Sequence, residues 1–313
     1  MRSVSRFPRW ISHRINVRNV VIQARVVLRE PLRIGAGRRE GLSSLTDLPV
    51  LRVNYGGVEG PVIPGSSWKG GLRSHVESLL RAWKQRVCGG VPGDTCAERG
   101  RPNLTSRLDD LLKHPTEEKR EIALRMLWTE LCLACKIFGA PSYMSNVVIE
   151  DSYPVELGGG SRRYSIGIKP GIAIDRRTGA VKKKAFYRVE FIEPGSEFGF
   201  RMRIRNLPNY ALGLIACTLL DMEEGNVRLG GFKSRGFGWV EFKDLKHSVS
   251  GKWEIDQPGG SRKLIGFTEE ESPWYDPLDE DVVYSGGTKG LLEALCDLAE
   301  RKLGGGTPGD QEG

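Results

Sequence analysis

The chain has 313 residues, of which 39% are hydrophobic and 27% charged, with a formal net charge of +8. This composition describes an ordinary soluble globular protein, and the length allows one or two domains with a full core. The absence of any run of about 18 apolar residues excludes a membrane-spanning helix. No apolar segment follows the basic N-terminus, so we predict no secretion signal and expect a cytoplasmic protein.

The net charge is distributed very unevenly along the chain. Residues 251–313 contain six Lys/Arg and fourteen Asp/Glu, so residues 1–250 carry a net charge of +16. A body this basic is expected to attract polyanions through a long-range field that salt weakens. No basic amphipathic helix with an aromatic face supports binding to an acidic membrane, so nucleic acid is the favoured partner.

The first part of the chain combines a basic segment, a strand and a long loop. Residues 1–19 contain five arginines and form either a phosphate-binding arm or a solvated lead-in. Val20–Leu28 is rich in β-branched residues and predicts the first strand. Residues 38–60 are polar and contain glycine, which predicts a long loop with Asp47 near its centre.

The next stretch, Ile63–Ser74, reads IPGSSWKGGLRS and predicts a turn that leads into a helix. Pro-Gly-Ser-Ser supplies the turn and a serine cap, and apolar residues at helical spacing extend the helix from residue 68 to about residue 87. The free amides and positive dipole end of this helix favour an anion, and Lys69 and Arg73 reinforce the preference. Alternatively, the two glycines only allow close packing of the helix on a sheet.

Four cysteines within one stretch predict a metal site. Cys88 and Cys96 lie in a Gly/Pro-rich segment, and Cys132 and Cys135 form a CxxC pair at the end of a helix predicted from about residue 117. Four thiolates suit a tetrahedral structural zinc ion that ties an irregular insertion to the helix beside it.

The other cysteine chemistry stays open at this point. A mixed site that uses His75 or His114, or a redox-active CxxC pair, is compatible with the sequence. Cys217 and Cys296 lie in apolar helical patterns and are predicted to be core residues, because disulfides are rare in cytosolic proteins.

Residues 161–190 predict a β-hairpin with a strongly basic tip. Two strand-like runs flank the turn sequence Asp-Arg-Arg-Thr-Gly at residues 175–179, and three consecutive lysines follow it. Such a charged tip either keeps a solvated edge from aggregating or contacts RNA, and both interpretations stay open.

A glycine loop closes the basic body. The sequence LGGFKSRGFG at residues 229–238 places four glycines around Lys233, Ser234 and Arg235. Glycine allows positive φ and a close approach of the backbone to a ligand, and free amides with two cations suit a phosphate chain. A tight turn that feeds the next strand is the alternative.

The sequence also predicts strands at Val147–Asp151 and Glu190–Arg205 and an amphipathic helix at Tyr210–Glu224. The predicted elements follow the βαββαβ order of a ferredoxin-like or RRM-type core. We therefore predict an α+β fold with this core at residues 20–242, a zinc-bearing insertion at about 88–140 and the hairpin, or thumb, at 161–190. Residues 243–313 form an acidic extension with one helix over Thr288–Lys302 and a disordered end.

Three of these motifs, in this order, resemble the RAMP superfamily of CRISPR-associated proteins. Residues 63–74 resemble its IPGSSLKGxLRS segment, and residues 230–238 resemble its GGxKSRGxG loop. Residues 170–179, PGIAIDRRTG, resemble the thumb hairpin of type III effector backbone subunits. The resemblance covers about residues 20–242. It implies an RRM-like protein that polymerises along a CRISPR guide RNA, next to other subunits or further copies of itself, and pushes its thumb between guide and target RNA.

By matching positions, the resemblance also implies roles for individual residues. The residues facing the guide phosphates would be Gly35, Gly37, Ser66, Ser67, Lys69, Arg73, Lys233, Ser234 and Arg235. The thumb residues beside the target RNA would be Ile172, Ile174, Arg176, Lys182, Lys183, Lys184 and Phe186. Asp47 would be catalytic: with Mg²⁺ or Mn²⁺ supplied along with the RNA, it would align a ribose 2′-hydroxyl for attack on the adjacent phosphate.

Three alternatives to this function stay open. If Asp47 only caps a turn, the chain is a non-catalytic scaffold subunit of the same kind of complex. A CRISPR RNA-processing endoribonuclease of the same superfamily is the second alternative, although the spacing of His13 and His75 gives no local acid–base pair. A metal-stabilised RNA-binding protein outside CRISPR systems is the third.

Overall fold

The computed structural model describes residues 7–35, 47–156, 162–174, 177 and 181–305, with the backbone alone for 173–174 and 181–186. It is a mixed α/β fold with antiparallel sheets. The strands are β1 (Asn19–Leu28), β2 (Arg52–Tyr55), β3 (Val58–Pro61), β4 (Val147–Ile149), β5 (Ile166–Ile174), β6 (Val181–Ile192), β7 (Glu197–Arg205), β8 (Val240–Val249), β9 (Glu254–Asp256), β10 (Arg262–Leu264) and β11 (Val282–Tyr284). The α-helices are α1 (Gly65–Ala82), α2 (Leu104–Leu112), α3 (Glu117–Glu130), α4 (Leu133–Phe138), α5 (Asn209–Glu223) and α6 (Gly287–Ala299). Across these ranges no helix is both long enough and apolar enough to cross a bilayer.

A four-stranded antiparallel sheet in the order β4-β7-β1-β8 forms the centre of the fold. Side chains along β7 alternate between a buried and an exposed face, as expected for a sheet covered on one side. Helix α1 packs on the buried face, where the Trp68 ring centroid lies 4.9 Å from that of Phe200 and 6.2 Å from that of Phe242. Helix α5 contacts α1, β8 and α6, which explains why it is apolar nearly all round.

The predicted first strand and first helix are present, but their surroundings differ from the prediction. Helix α1 begins at Gly65, where an added methyl group would lie only 2.1 Å from the carbonyl oxygen of Ile149, so the helix start fits closely against β4. The hairpin β2–β3 lies within the predicted long loop. Helix α2 was not predicted. The helix predicted from about Glu117 to Leu133 is present as α3 and ends at Glu130, and Cys132 is the N-cap of α4, which was not predicted either.

Residues 7–19 pack on the body of the protein and do not form a free arm. Arg18 is only 1% exposed, its Nη1 donates to the carbonyl of Ile265 at 2.6 Å, and its guanidinium lies 4.7 Å from the centre of the Phe267 ring. Burial lowers the pKa of Arg18 to about 10, and the charge of Asp279 partly offsets this effect. For Arg18, both predicted alternatives, a phosphate-binding arm and a solvated lead-in, are therefore wrong.

The acidic extension is a folded layer. Strand β8 continues to Val249, so the predicted boundary at residue 243 falls within a strand. Strands β9, β10 and β11 form a three-stranded sheet that the sequence did not predict, while the predicted helix is present as α6 and packs along α5. The predicted disordered end, from residue 306 onward, lies outside the described residues.

A disulfide between Cys217 on α5 and Cys296 on α6 joins the extension to the core. The expectation of two unpaired core cysteines is therefore wrong, and Cys296 is half-buried rather than fully buried. The pairing escaped prediction because the two residues are 79 positions apart and neither belongs to a spacing motif.

The variant Cys296→Ser is expected to lower the free energy of unfolding by about 2–4 kcal/mol, because the disulfide constrains the unfolded chain over a long loop. Thermal unfolding with and without a reductant measures this effect. The wild type in reductant should fall to the midpoint of the variant, and the variant should not respond to the reductant. Equal midpoints in all four samples would show that the disulfide does not form.

Candidate functional site

The glycine loop, residues 229–238, is closed on itself and lies along the segment that follows β1. Leu229 N donates to the carbonyl of Gly238 at 2.9 Å, and Gly231 N donates to the carbonyl of Arg33 at 2.9 Å. Gly230 has a φ of 76°, and an added methyl group there would lie 2.5 Å from the Arg33 carbonyl oxygen. Only glycine fits this approach, so the loop and the segment leading to Gly35 form one surface.

The tip of the glycine loop presents its cations to solvent. Lys233, Ser234 and Arg235 form a short 3-10 turn, and all three are exposed. Phe232 precedes the turn with a left-handed φ of 59°, and the guanidinium groups of Arg33 and Arg235 lie over its ring, at 5.2 and 4.9 Å from the ring centroid. These cation–π contacts hold an unfavourable backbone conformation, and such conformations cluster at binding sites.

The glycine loop meets the part of the β5–β6 hairpin below its irregular pairing, residues 166–171 and 187–192, which we call the hairpin base. Arg235 Nη1 donates to the Tyr187 hydroxyl at 3.3 Å, and the Tyr187 ring lies so close over Gly171 that an added methyl group would be 2.3 Å away. A cleft of about 220 Å³ opens between the two elements, with Phe232 and Phe237 among its lining residues. The predicted hairpin is therefore present, and its base adjoins the predicted phosphate loop.

Asp47 is held at the same hairpin base. Its Oδ2 accepts a hydrogen bond from Arg188 N at 2.7 Å, and Leu48 N donates to the Arg188 carbonyl at 3.2 Å. Because Arg188 follows Tyr187 in β6, Asp47 lies next to the hairpin residue that contacts the glycine loop. Asp47 is exposed, and among the described residues it belongs to no group of three or more carboxylates, cysteines or histidines that could hold a metal ion.

The start of α1 is only partly available to an anion. Gly65 N donates to Asp151 Oδ1 at 2.8 Å, so a carboxylate already occupies this end of the helix. Ser66 is exposed, whereas Ser67 and Lys69 are half-buried. Burial, followed by the charge of Arg73, lowers the pKa of Lys69.

Arg73 has partners that the sequence did not predict. Its Nε donates to Glu77 Oε1 at 2.8 Å, its Nη1 to the Gly139 carbonyl at 2.9 Å, and its Nη2 lies 3.4 Å from Cys135 Sγ. The side chain is 19% exposed and points to the cysteine cluster. These contacts give Arg73 partners within the protein, and its assignment to guide phosphates stays a prediction.

The cysteine cluster consists of Cys88, Cys96, Cys132 and Cys135, whose Sγ atoms all lie within 4.8 Å of one another. The Sγ atoms of Cys88 and Cys135 are 3.4 Å apart. The mixed alternative finds no support, since His75 Nε2 instead bonds Asp221 Oδ2 at 2.7 Å and His114 does not join the cluster. Four sulfur ligands converging in this way fit a tetrahedral zinc site.

The remaining predicted site residues fall into three groups. Gly37 and Arg176 lie outside the described residues. The residues described by their backbone positions on β5 and β6 alone are Ile174, Lys182, Lys183, Lys184 and Phe186. Ile172 is 52% exposed on β5.

Several residues of this surface were missed from the sequence, among them Arg33, Tyr187 and Arg188. Phe232 was also missed, although an aromatic residue inside a glycine loop is a local signal of a binding surface. The others come from strands or strand ends, where nothing in the local pattern marks a side chain that turns toward a distant loop.

A model of the RAMP superfamily matches residues 25–241 of this chain, which include α1, the cysteine cluster, the hairpin and the glycine loop. The chain belongs to the RAMP superfamily. The prediction made from three motifs is thereby confirmed. This RAMP protein is also similar to the CRISPR system Cms endoribonuclease Csm3 of Methanocaldococcus jannaschii, with 28% identity over 272 residues, 83% of this chain and 93% of that protein.

Among solved structures, the RAMP chain is similar to a chain in the cryo-EM structure of the Type III-B Cmr-beta bound to cognate target RNA. The TM-score is 0.44 at 14% sequence identity, over 74% of this chain and 61% of that chain. This chain thus spans less than two thirds of that neighbour's length.

Proposed function

We propose that this RAMP protein is a guide-RNA-binding backbone subunit of a type III CRISPR interference complex and that it cleaves complementary target RNA. Its partners would be a CRISPR guide RNA, a target RNA, other subunits and further copies of itself. The similarity to a protein named as a CRISPR endoribonuclease, over nearly its full length, supports this assignment.

One structural observation carries the RNA-binding part of the proposal. The exposed tip Lys233–Arg235 adjoins the base of the β5–β6 hairpin, with aromatic rings of Tyr187 and Phe232 between them. Cations suit phosphates, and aromatic rings suit unpaired bases, so the surface combines the two features that bind single-stranded RNA.

The fold proposed for this role is ferredoxin-like. With β1, β4, β7 and β8 counted as its first to fourth strands, the sheet order is second-third-first-fourth. Helix α1 lies between the first and second strands in sequence, and α5 between the third and fourth. This is the connectivity expected of a βαββαβ core, and the cysteine region and the hairpin then read as insertions.

We further propose a structural zinc ion at the cysteine cluster. The all-sulfur donor set and the close grouping of its atoms support zinc over a hard cation such as magnesium, which prefers oxygen ligands. The ion would tie the segment that carries Cys88 and Cys96 to the start of α4.

For cleavage, we propose that Asp47 orients the reacting ribose. The bond from Arg188 N fixes its carboxylate at the hairpin base, beside the RNA surface. A divalent ion, Mg²⁺ or Mn²⁺ bound together with the RNA, would supply Lewis acidity at the phosphate. The 2′-oxygen would attack the adjacent phosphorus and lose its proton, while the bond to the 5′-oxygen breaks and that oxygen gains a proton. The products are a 2′,3′-cyclic phosphate and a 5′-hydroxyl.

The second candidate function is a non-catalytic scaffold with the same RNA surface. It is favoured by the observation that Asp47 already accepts a backbone hydrogen bond and belongs to no metal-binding group of three or more side chains among the residues described. In that case its carboxylate only closes a turn.

The double variant Lys233→Ala/Arg235→Ala is expected to weaken guide-RNA binding roughly 25-fold at about 0.1 M salt. The loss of two phosphate contacts lowers the salt slope by about 1.4, which is a factor of about 25 in affinity between 1 M and 0.1 M salt. Each lost phosphate contact removes about 0.7 from the slope of log affinity against log salt concentration for a single strand. Fluorescence anisotropy with a labelled guide RNA, repeated at several salt concentrations, gives both numbers.

The matched control is Lys246→Ala/Lys252→Ala, which removes two exposed cations on β8 and the turn after it. It should leave the slope unchanged. A loop variant with the slope of the wild type would exclude the glycine loop from RNA binding and contradict the proposed function.

A further inference from the structure

We propose that three residues of α1, Arg73, Glu77 and Arg81, form a positioning stripe for the proposed zinc centre, and that Arg73 donates an N–H to the Cys135 thiolate. This inference rests on the proposed zinc site but not on RNA binding. It assigns a metal-centre role to an arginine within the motif that otherwise points to phosphate.

The three residues occupy one face of the helix, because their spacing of four residues repeats about once per turn. Arg73 uses its whole guanidinium fork: one nitrogen faces Cys135 Sγ at 3.4 Å, one bonds the Gly139 carbonyl at 2.9 Å and one bonds Glu77 at 2.8 Å. A rigid planar group bound at three points fixes the direction of its N–H toward sulfur.

Glu77 explains why this arginine stays in place. It is 7% exposed and pairs with both neighbours, Arg73 at 2.8 Å and Arg81 at 3.4 Å. A carboxylate this buried is tolerated only when it is paired. Glu77 therefore favours side-chain conformations of Arg73 and Arg81 that face the insertion. Gly90 has a φ of 71°, and an added methyl group there would lie 2.5 Å from Glu77 Oε1.

The stripe contacts both halves of the cysteine cluster. Arg73 reaches the CxxC half through Cys135 and Gly139, while Arg81 Nη2 donates to the carbonyl of Cys88 at 3.0 Å on the other half. The two cysteine segments are separated by 44 positions in sequence at Cys88 and Cys132, and α1 precedes both. The helix therefore serves as the common surface on which the four sulfur ligands are assembled.

An N–H donor to a metal thiolate offsets part of the charge on sulfur and orients the ligand. Residues of this kind typically change metal affinity by about 10–100-fold. We therefore expect Arg73→Gln to weaken zinc binding about 10–100-fold, and Arg73→Lys, which keeps the charge but not the fork, to fall between this variant and the wild type.

The test uses the purified full chain without RNA. Zinc affinity is measured by competition with a chromophoric chelator, and the cobalt-substituted protein reports thiolate–metal charge transfer by absorbance. Arg107→Gln is the matched control, because Arg107 pairs with Glu130 in the same insertion without contacting a cysteine sulfur. The charge-transfer band should shift in the Arg73 variants and not in the control.

A guide-RNA titration at saturating zinc completes the test. The salt slope of Arg73→Gln should equal that of the wild type, whereas a phosphate contact would lower it by about 0.7. Each of three results would overturn the inference. They are a lower salt slope for Arg73→Gln than for the wild type, wild-type zinc affinity in this variant, and a wild type that binds no zinc. If Arg73→Gln does not fold, Glu77→Gln replaces it, since loss of the anchor should weaken zinc binding in the same direction. Failure of the proposed RNA function would instead appear as wild-type protein that binds zinc but no guide.

Discussion

Replacement of Asp47 by alanine is expected to slow cleavage of complementary RNA by about 10²-fold, the loss expected when a reacting group is misplaced by about 1 Å. Binding of guide and target should stay unchanged, because Asp47 lies at the hairpin base and does not contribute to the cationic tip. The carboxylate lies beside the proposed RNA surface, since Arg188, its partner, follows Tyr187 in β6.

Asp47→Asn separates catalysis from turn capping. The amide oxygen of asparagine can still accept the hydrogen bond from Arg188 N, but the negative charge is gone. If Asp47 is catalytic, both variants are inactive. If it only closes the turn, Asp47→Asn cleaves like the wild type and Asp47→Ala loses stability.

The measurement uses the complex reconstituted with guide RNA and end-labelled complementary RNA, in Mg²⁺ or EDTA. Asp256→Ala, an exposed aspartate on β9, is the matched control and should cleave normally. Unchanged cleavage in both Asp47 variants would assign the nuclease to another residue or subunit. Target binding with no cleavage by any protein, the wild type included, would favour the scaffold function.

The variant Cys135→Ser is expected to abolish the proposed zinc site, from one zinc ion per chain to none. Cys135 is completely buried, and its sulfur approaches both Cys88 and the guanidinium of Arg73. Structural zinc ions contribute about 10–16 kcal/mol of binding free energy in small zinc domains. Even a third of this, about 4 kcal/mol, would lower the unfolding midpoint by roughly 6 °C in a chain of this size.

Elemental analysis of the purified protein measures zinc, and thermal unfolding with and without a chelator measures its contribution to stability. Cys296→Ser is the matched control, because it makes the same substitution outside the cluster and should retain one zinc ion. A wild type without zinc, or a Cys135→Ser protein that keeps a full equivalent, would contradict the proposed site.

The elements that could be predicted from the sequence are those marked by a pattern of neighbouring residues. Strand β1 and helices α1 and α5 follow from the spacing of their apolar residues, and the hairpin follows from a turn sequence between two strand-like runs. The glycine loop was evident because glycines at positive φ leave a compositional trace. The four cysteines of the cluster were predicted together because metal ligands have few residue types and a recognisable CxxC spacing.

The partners of the polar side chains could not be predicted from the sequence, because they depend on how distant segments pack together. Arg73 and Lys69 lie one turn apart in one motif, yet Arg73 points to the cysteine cluster because Glu77 and the Gly139 carbonyl bind it there. Arg18 is buried by the C-terminal extension, and Cys217 bonds Cys296. In each case at least one partner is distant in sequence: Gly139 for Arg73, Ile265 for Arg18 and Cys296 for Cys217. Local periodicity specifies the buried face of a helix, but the packing of the whole chain determines what lies against its polar residues.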